Sequence, residues 1–368
     1  METVKLFLAG DVMTGRGIDQ ILPYPGDPAL FEDHARSAAQ YVTLAERACG
    51  KIPAPVDFGY IWGDALAELD RQRPGARIVN LETAVTACKT PEPKGINYKM
   101  NPANVPVLSA AGLDCCVLAN NHVLDWGRSG LLDTLAALRS ASIRTAGAGE
   151  TSDAAFNPAI VETGSGHRIC VYGFGSETSG IPRHWAALEN RPGICLFPDL
   201  SGATARRVAG KICARKRDGD ITIISIHWGS NWGYQIPKEQ QSFARTLIDL
   251  GACDILHGHS SHHARAAEIY RGKLILYGCG DFINDYEGIS GREDYRGDLS
   301  VMYLPRIDAT SAAMEALTLV VFQMHQLRLR RASLHDVTWL QTVLNRESQP
   351  FGTRFLLAEN GALQAEWE

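Results

Sequence analysis

Short apolar runs recur along this chain, and one after another they close on a side chain that can bind a metal or move a proton. Val4 to Ala9 leads into Gly10-Asp11, and Arg77 to Thr83 carries Glu82 near its end. Asp114 to Ala119 leads into Asn120-Asn121-His122, Asp220 to Ile226 into His227, and Cys253 to Leu256 into a histidine cluster. Between these runs lie amphipathic stretches of helical period: Ile61 to Arg71, Gly130 to Ser140, Ala203 to Lys216 and Glu239 to Leu250. Strand-length runs alternating with such stretches predict a mixed α/β chain. In such folds the C-terminal edge of a sheet is where ligands gather. Any one of these polar residues reads equally well as a helix cap or a turn. Together on one sheet edge they read as one site.

The histidine cluster sharpens that reading. His257, His259, His262 and His263 fall within seven residues, and five of the chain's 11 histidines lie between His227 and His263. Neutral imidazole is the commonest ligand for zinc, iron and related ions. Asp11, Glu82, Asn121, His227, His259 and His262 are therefore the candidate metal ligands. They are enough for two divalent ions of the Mn2+, Fe2+ or Zn2+ kind, bridged by a carboxylate about 3.5–4 Å from each other. An activated water is then the nucleophile, and His122, with Asp125 three residues on, is the candidate acid for the leaving oxygen. Arg16, Asn80, Lys99 and Arg292 are candidate substrate contacts, with Lys94 and Tyr98 in the same polar loop as Lys99. The plain alternative for each is an ordinary surface or loop residue.

The remainder of the chain adds few signals. Residues 19–60 hold five prolines and an amphipathic stretch from Leu30 to Ala48, and read as an insertion over the rim of the sheet. Ile143 to Gly149, Arg168 to Phe174 and Lys273 to Tyr277 are further strands. Ser300 to Leu304 and Leu317 to Leu329 suggest an antiparallel hairpin, His335 to Asn345 a late helix, and 350–368 a terminal strand pair. We read 1–330 as the catalytic domain and 331–368 as an extension packed on it. A formal net charge of −5 gives no pull towards nucleic acid, and no apolar run reaches the ~18 residues of a membrane span. Val4 to Gly10 is too short for a secretory signal. The nine cysteines are scattered with no CxxC pair, as expected in a reducing, cytoplasmic compartment. The expected partner is a small-molecule substrate; the oligomeric state is not legible.

The motifs, in order, resemble the CapA-type (poly-γ-glutamate capsule biosynthesis) family, a branch similar to the calcineurin-like metallophosphoesterases. They are Gly10-Asp11-Val12-Met13, Asn80-Leu81-Glu82, Ala119-Asn120-Asn121-His122 with Asp125 and Gly127, His227-Trp228-Gly229, Gly258-His259 with His262, and Tyr277 with Gly280-Asp281-Phe282. The match runs over residues 4–283, about three quarters of the chain. It implies a two-sheet β-sandwich flanked by helices (αββα) with metals at the strand C-terminal ends. By resemblance, Asp11 takes the place of the first-metal aspartate, Glu82 that of the bridging carboxylate, Asn121 that of the asparagine ligand and His122 that of the catalytic histidine. His227 resembles the lone histidine ligand, and His259 with His262 the final pair. Three departures stand out. Met13 replaces the first motif's histidine. The final pair is spaced i, i+3 with Ser260 where this branch commonly has histidine, which leaves His257 or His263 as substitutes. Asp281 stands where the family often has asparagine. The implied activity is a dinuclear metal-dependent hydrolase acting on a phosphate ester of a small molecule. The alternatives are metal-dependent chemistry on an amide or γ-glutamyl-type substrate, and a non-catalytic part in capsule assembly.

Overall fold

In the computed structural model, which describes residues 2–368, the apolar runs are strands, but they divide between two sheets. The first sheet opens with β1 (Thr3–Val12), β2 (Ala76–Leu81), β3 (Cys115–Val117) and β4 (Arg144–Ala146), side by side and parallel. The chain then builds the second sheet, in which β5 (Arg168–Ser176), β6 (Ile221–His227), β7 (Ile255–His259) and β8 (Lys273–Leu276) are again parallel. It returns to the first sheet with β9 (Asp281–Ile283), which runs parallel to the last residues of β1. The antiparallel hairpin of β10 (Leu299–Asp308) and β11 (Met314–Met324) follows, and β10 pairs with the first half of β1. A last hairpin, Thr353–Leu357 with Leu363–Trp367, pairs with β11 and ends the ten-stranded sheet.

Alternation along the strands decides how the sheets stack. Leu6, Leu8, Ile78 and Val117 from the first sheet and Val171, Ile223, Ile255 and Leu274 from the second share one buried core. The opposite faces are covered by helices. Phe7, Val79 and Leu81 pack with Ala65 and Leu69 of α1 (Asp64–Gln72) and with Leu131 and Leu138 of α2 (Gly127–Ser140). Tyr172, Ile224 and Leu256 pack with Ala205 and Ala209 of α3 (Gly202–Cys213) and with Phe243 and Leu247 of α4 (Lys238–Asp249). Two sheets face to face with helices outside bury both faces of the parallel strands in each, which is why those strands read as near-continuous apolar runs. The C-terminal segment joins the same core: Val337, Leu340 and Leu344 of α5 (Leu334–Ser348), with Phe355 and Leu363, pack between the sheets. Among the described residues no helix is long and apolar enough to cross a membrane.

Some expected boundaries move for local reasons. Of the stretch Leu30 to Ala48, only Ala39–Cys49 is helical. Glu32 is drawn out of that pattern because it is buried against Arg16, whose Nη1 donates to Oε1 at 3.0 Å. A buried ion pair outweighs the few tenths of a kcal/mol per residue of helix propensity. The expected strand over 143–149 breaks at Gly147 (φ 86°), and Ala148–Gly149 pairs instead with Gly193–Ile194. The long second strand of the late hairpin ends at Met324, because Gln326 and Leu327 (φ 57° and 54°) turn the chain back.

Candidate metal centre

The site lies at the mouth of the space between the sheets, so it draws on both sheet edges rather than on one. The inward parity of Ile221 and Ile223 on β6 continues through Ser225 to His227, and that of Ile255 on β7 through His257 to His259. On β2, Ile78 is followed inward by Asn80. On β1 the alternation alone would turn Asp11 outward, but the pairing with β2 slips by one residue between Ala9 and Asp11. Gly10 is the extra residue of that bulge, and an added Cβ there would lie 1.9 Å from the Gly280 oxygen. The bulge aims Asp11 at the histidines of the facing sheet.

Asp11 Oδ1 accepts a hydrogen bond from Asn80 Nδ2 at 2.7 Å, and lies 3.9 Å from His227 Nδ1 and 3.8 Å from His259 Nδ1. Asp11 Oδ2 accepts the Ser260 N–H at 3.2 Å. Ser260 reaches it only by adopting φ 99°, a backbone strain of the kind held at functional sites. Glu82 Oε1 stands 3.8 Å from His227 Nε2 and 3.7 Å from His122 Nε2. His227 Nε2 is 3.0 Å from Asn121 Oδ1. Asp281 pairs with Asp11 in register on β9 and adds a third buried carboxylate. Burial first, and Asp281 next, push the Asp11 carboxyl up to about 7. Burial and Asp11 hold Glu82 well above the ordinary range. Burial likewise holds His227 and His259 well below theirs.

A chain of hydrogen bonds fixes which nitrogen of His259 is bare. The Ala9 carbonyl can only accept, so His257 Nε2, 2.9 Å away, carries the proton. His257 Nδ1 therefore accepts from the Ser225 hydroxyl at 3.0 Å, and that oxygen accepts from His259 Nε2 at 2.9 Å. The lone pair of His259 Nδ1 is left facing His227 Nδ1 at 2.8 Å and the Asp11 carboxylate. Buried imidazole, amide and carboxylate donors facing one another fit a divalent cation, as does Glu82 Oε2, buried without a hydrogen-bond partner among the described residues. Ser225 is thus the outer partner that sets the tautomer of a candidate ligand. Ser225→Ala is expected to weaken metal affinity by about 10–100-fold with little change in fold, read by competition with a chelating dye. Unchanged affinity would mean that the tautomer is set elsewhere.

Beside this centre, His122 Nδ1 donates to Asp125 Oδ2 at 2.6 Å, and its ring stacks on Tyr98 at 4.0 Å. Asp125 also accepts the Tyr98 N–H at 2.6 Å, which ties the dyad to the loop. Lys94 Nζ lies 2.7 Å from Asp125 Oδ1 and donates to the Asn121 carbonyl. Burial pushes the His122 imidazole down to about 4 against the pull of Asp125, so at rest it is neutral with Nε2 bare.

The other expected residues divide. His262 is near Asp11, but Nδ1 donates to Asp281 Oδ1 at 2.9 Å and Nε2 accepts from Asn231 at 3.0 Å, so neither nitrogen is free. Burial alone would lower its pKa; Asp281 overrides that and raises it. The substitutes stand aside too: His257 is the relay just described, and His263 packs among Trp232, Tyr234 and Tyr295. Three substrate contacts need correction. Asn80 is fully buried, with both amide atoms engaged by Asp11 and Asn120, and positions Asp11 instead. Arg16 is buried between Glu32 and Asp285, its charge already answered. Lys99 rests its ammonium over the Trp126 ring at 3.8 Å and makes no contact with the metal-ligand set. Arg292 remains at the rim of a cavity of about 500 Å³ lined also by Tyr98, Trp232, His262 and Tyr286. Sequence reasoning missed Ser225, although its place two residues before His227 puts it on the same strand face. It also read Asp281 as a departure rather than as a member of the site.

Compared with known proteins, residues 5–286 match the family model described as bacterial capsule synthesis protein PGA_cap. A probable polyglutamine synthesis accessory protein of Mycobacterium tuberculosis is 46% identical over 365 residues, 99% of this chain and 96% of the relative. The PGA biosynthesis protein CapA of Bacillus subtilis is 28% identical over 286 residues, 77% of this chain and 64% of that protein. The capsule biosynthesis protein CapA of Bacillus anthracis is 25% identical over 285 residues, 77% of this chain and 60% of that protein.

Proposed function

The chain belongs to the bacterial capsule synthesis protein family, and from that premise we propose that it is a metal-dependent hydrolase serving the synthesis of a glutamyl-type polymer, acting on a phosphate ester of a small molecule. The observation that supports this most is the relay from the Ala9 carbonyl through His257 and Ser225, which keeps the bare nitrogen of His259 aimed at His227 and Asp11. Asp11, Glu82, Asn121, His227 and His259 would hold one or two divalent ions, with His262 joining them if it gives up Asn231. When bound there, ions of the Mn2+, Fe2+ or Zn2+ class supply Lewis acidity and a water that ionises near neutral pH.

The remaining work falls to the chain's own side chains. Asp125 holds His122 in one tautomer and leaves Nε2 to take up or hand on a proton beside Glu82. Lys94 sets a positive charge on the Asp125 side of the same ring, 3.4 Å from Nδ1. Tyr98 and Trp232 wall the approach from the cavity. The free thiols of all nine cysteines support a reducing, cytoplasmic setting.

A second reading keeps the centre and changes the bond to the amide of a γ-glutamyl-type chain. The names of the relatives favour it, and so does the cavity, where Arg16 is already neutralised. Elemental analysis of the purified protein, paired with a screen of phosphate esters against γ-glutamyl peptides, tests both. The expected result is bound transition metal and metal-dependent release of phosphate. Turnover of the peptides alone would replace the first reading with the second. A protein with no bound metal and no metal-dependent stabilisation would overturn both and leave a non-catalytic part in capsule assembly.

A further inference from the structure

The far wall of the cavity carries a second group of metal-competent side chains. Cys49 ends the helix Ala39–Cys49, Glu287 lies in the loop after β9, and His325 begins the turn after β11. One donor atom from each lies within 4.8 Å of the other two. We propose that Cys49, Glu287 and His325 form a second metal site, one that takes a thiophilic divalent cation such as zinc. It uses none of the residues of the candidate metal centre and goes beyond the proposed function.

The three segments are held together by bonds that need no ion. Glu287 Oε1 accepts the Gln326 N–H at 2.8 Å and Oε2 accepts the Leu327 N–H at 2.5 Å, so the carboxylate is fixed against the turn that carries His325. That turn is sharp, with both central residues at positive φ. The Gln326 side chain donates to the Lys51 carbonyl at 3.0 Å, which ties the same turn to the end of the cysteine's helix. Each Glu287 oxygen keeps a lone pair after these bonds. The His325 ring has no hydrogen-bond partner among the described residues, and the Cys49 thiol rests against Glu287. Its pKa is pushed up to about 11, by burial first and then by that carboxylate. The thiol is therefore protonated at neutral pH, and an entering cation displaces its proton to solvent as the sulfur becomes a thiolate.

Thiolate, imidazole and carboxylate form a donor set suited to zinc rather than to magnesium or calcium, which prefer oxygen alone. Three protein ligands leave one tetrahedral position. All three side chains line the cavity that also reaches Tyr98 and His262, so the open position meets that cavity and can take an anionic group of whatever occupies it.

The test uses cobalt as the probe, because a cobalt–thiolate bond gives a near-ultraviolet charge-transfer band that nitrogen and oxygen ligands do not. Full-length protein is stripped with chelator and titrated with Co2+. We expect one such band per chain, its loss in Cys49→Ser, an apparent affinity at least tenfold weaker in His325→Gln, and its survival in Asp11→Asn. No band in the wild-type protein at saturating cobalt would overturn the proposal, whether or not the variants fold. A band that persists in folded Cys49→Ser would also overturn it, by placing the thiolate elsewhere.

Discussion

His227→Ala is expected to empty the centre of metal and to lower the hydrolytic rate by about 10³-fold or more, since metal activation of water and substrate is worth several kcal/mol at 1.36 kcal/mol per tenfold. His227 is the residue that touches the rest of the donor set: His259 at 2.8 Å, Asn121 at 3.0 Å, Glu82 at 3.8 Å and Asp11 at 3.9 Å. Its removal takes one ligand and leaves the buried carboxylates of Asp11 and Glu82 less compensated, so affinity should fall further than the loss of one bond suggests. The secondary structure should persist, because the inter-sheet core of β6 is made by Ile221 and Ile223. Elemental analysis and circular dichroism on the same sample check this, with His227→Gln as a variant closer in polarity. Full metal content together with full rate in either variant would remove His227 from the site.

His122→Ala is expected to keep its metal and lose about 10²–10⁴-fold in rate on substrates with poor leaving groups, the usual worth of acid–base catalysis. On nitrophenyl esters, whose leaving oxygen needs no proton, the loss should be small. The reason lies in the resting imidazole, which burial keeps neutral. Because Nε2 rests bare, it first takes up a proton released by the attacking water or carried by a bound anion and then gives it to the leaving oxygen, which matters most where that oxygen is most basic. Asp125→Asn should follow the same pattern, since an amide in place of Oδ2 disturbs the tautomer that leaves Nε2 bare. Equal losses on both substrate types, with metal lost as well, would make His122 a ligand.

The β/α alternation, the late hairpin and the strand-end placement of Asp11, Glu82, Asn121, His227 and His259 were legible in the sequence because each rests on local periodicity. What was not legible depends on contacts between distant segments. Nothing near Arg16 announces that Glu32 and Asp285 will close on it, so it reads as a free phosphate contact. Asn80 reads as available because its partners, Asp11 and Asn120, come from other strands. His257, His259, His262 and His263 look equivalent in a row. Only the facing sheet distinguishes them, by offering the Ala9 carbonyl to one and Asp11 to another. The inward turn of Asp11 itself depends on a one-residue slip against β2, which shows in the sequence only as Gly10.

The placement of β1 has a consequence for the order in which this molecule is made. β1 precedes its antiparallel neighbour β10 and the parallel β9 beside Asp11 by some three hundred residues. At about 5–20 residues per second, that separation amounts to roughly 15–60 s of synthesis during which one flank of β1 has nothing to pair with. The region matched by the family model ends at residue 286, before β10, β11 and α5 appear. Those later elements complete the core between the sheets, through residues such as Val301, Leu319 and Leu340. A nascent chain halted there would hold every proposed ligand of the candidate metal centre and both strands beside Asp11, β2 and β9, but not β10, which pairs with the first half of β1.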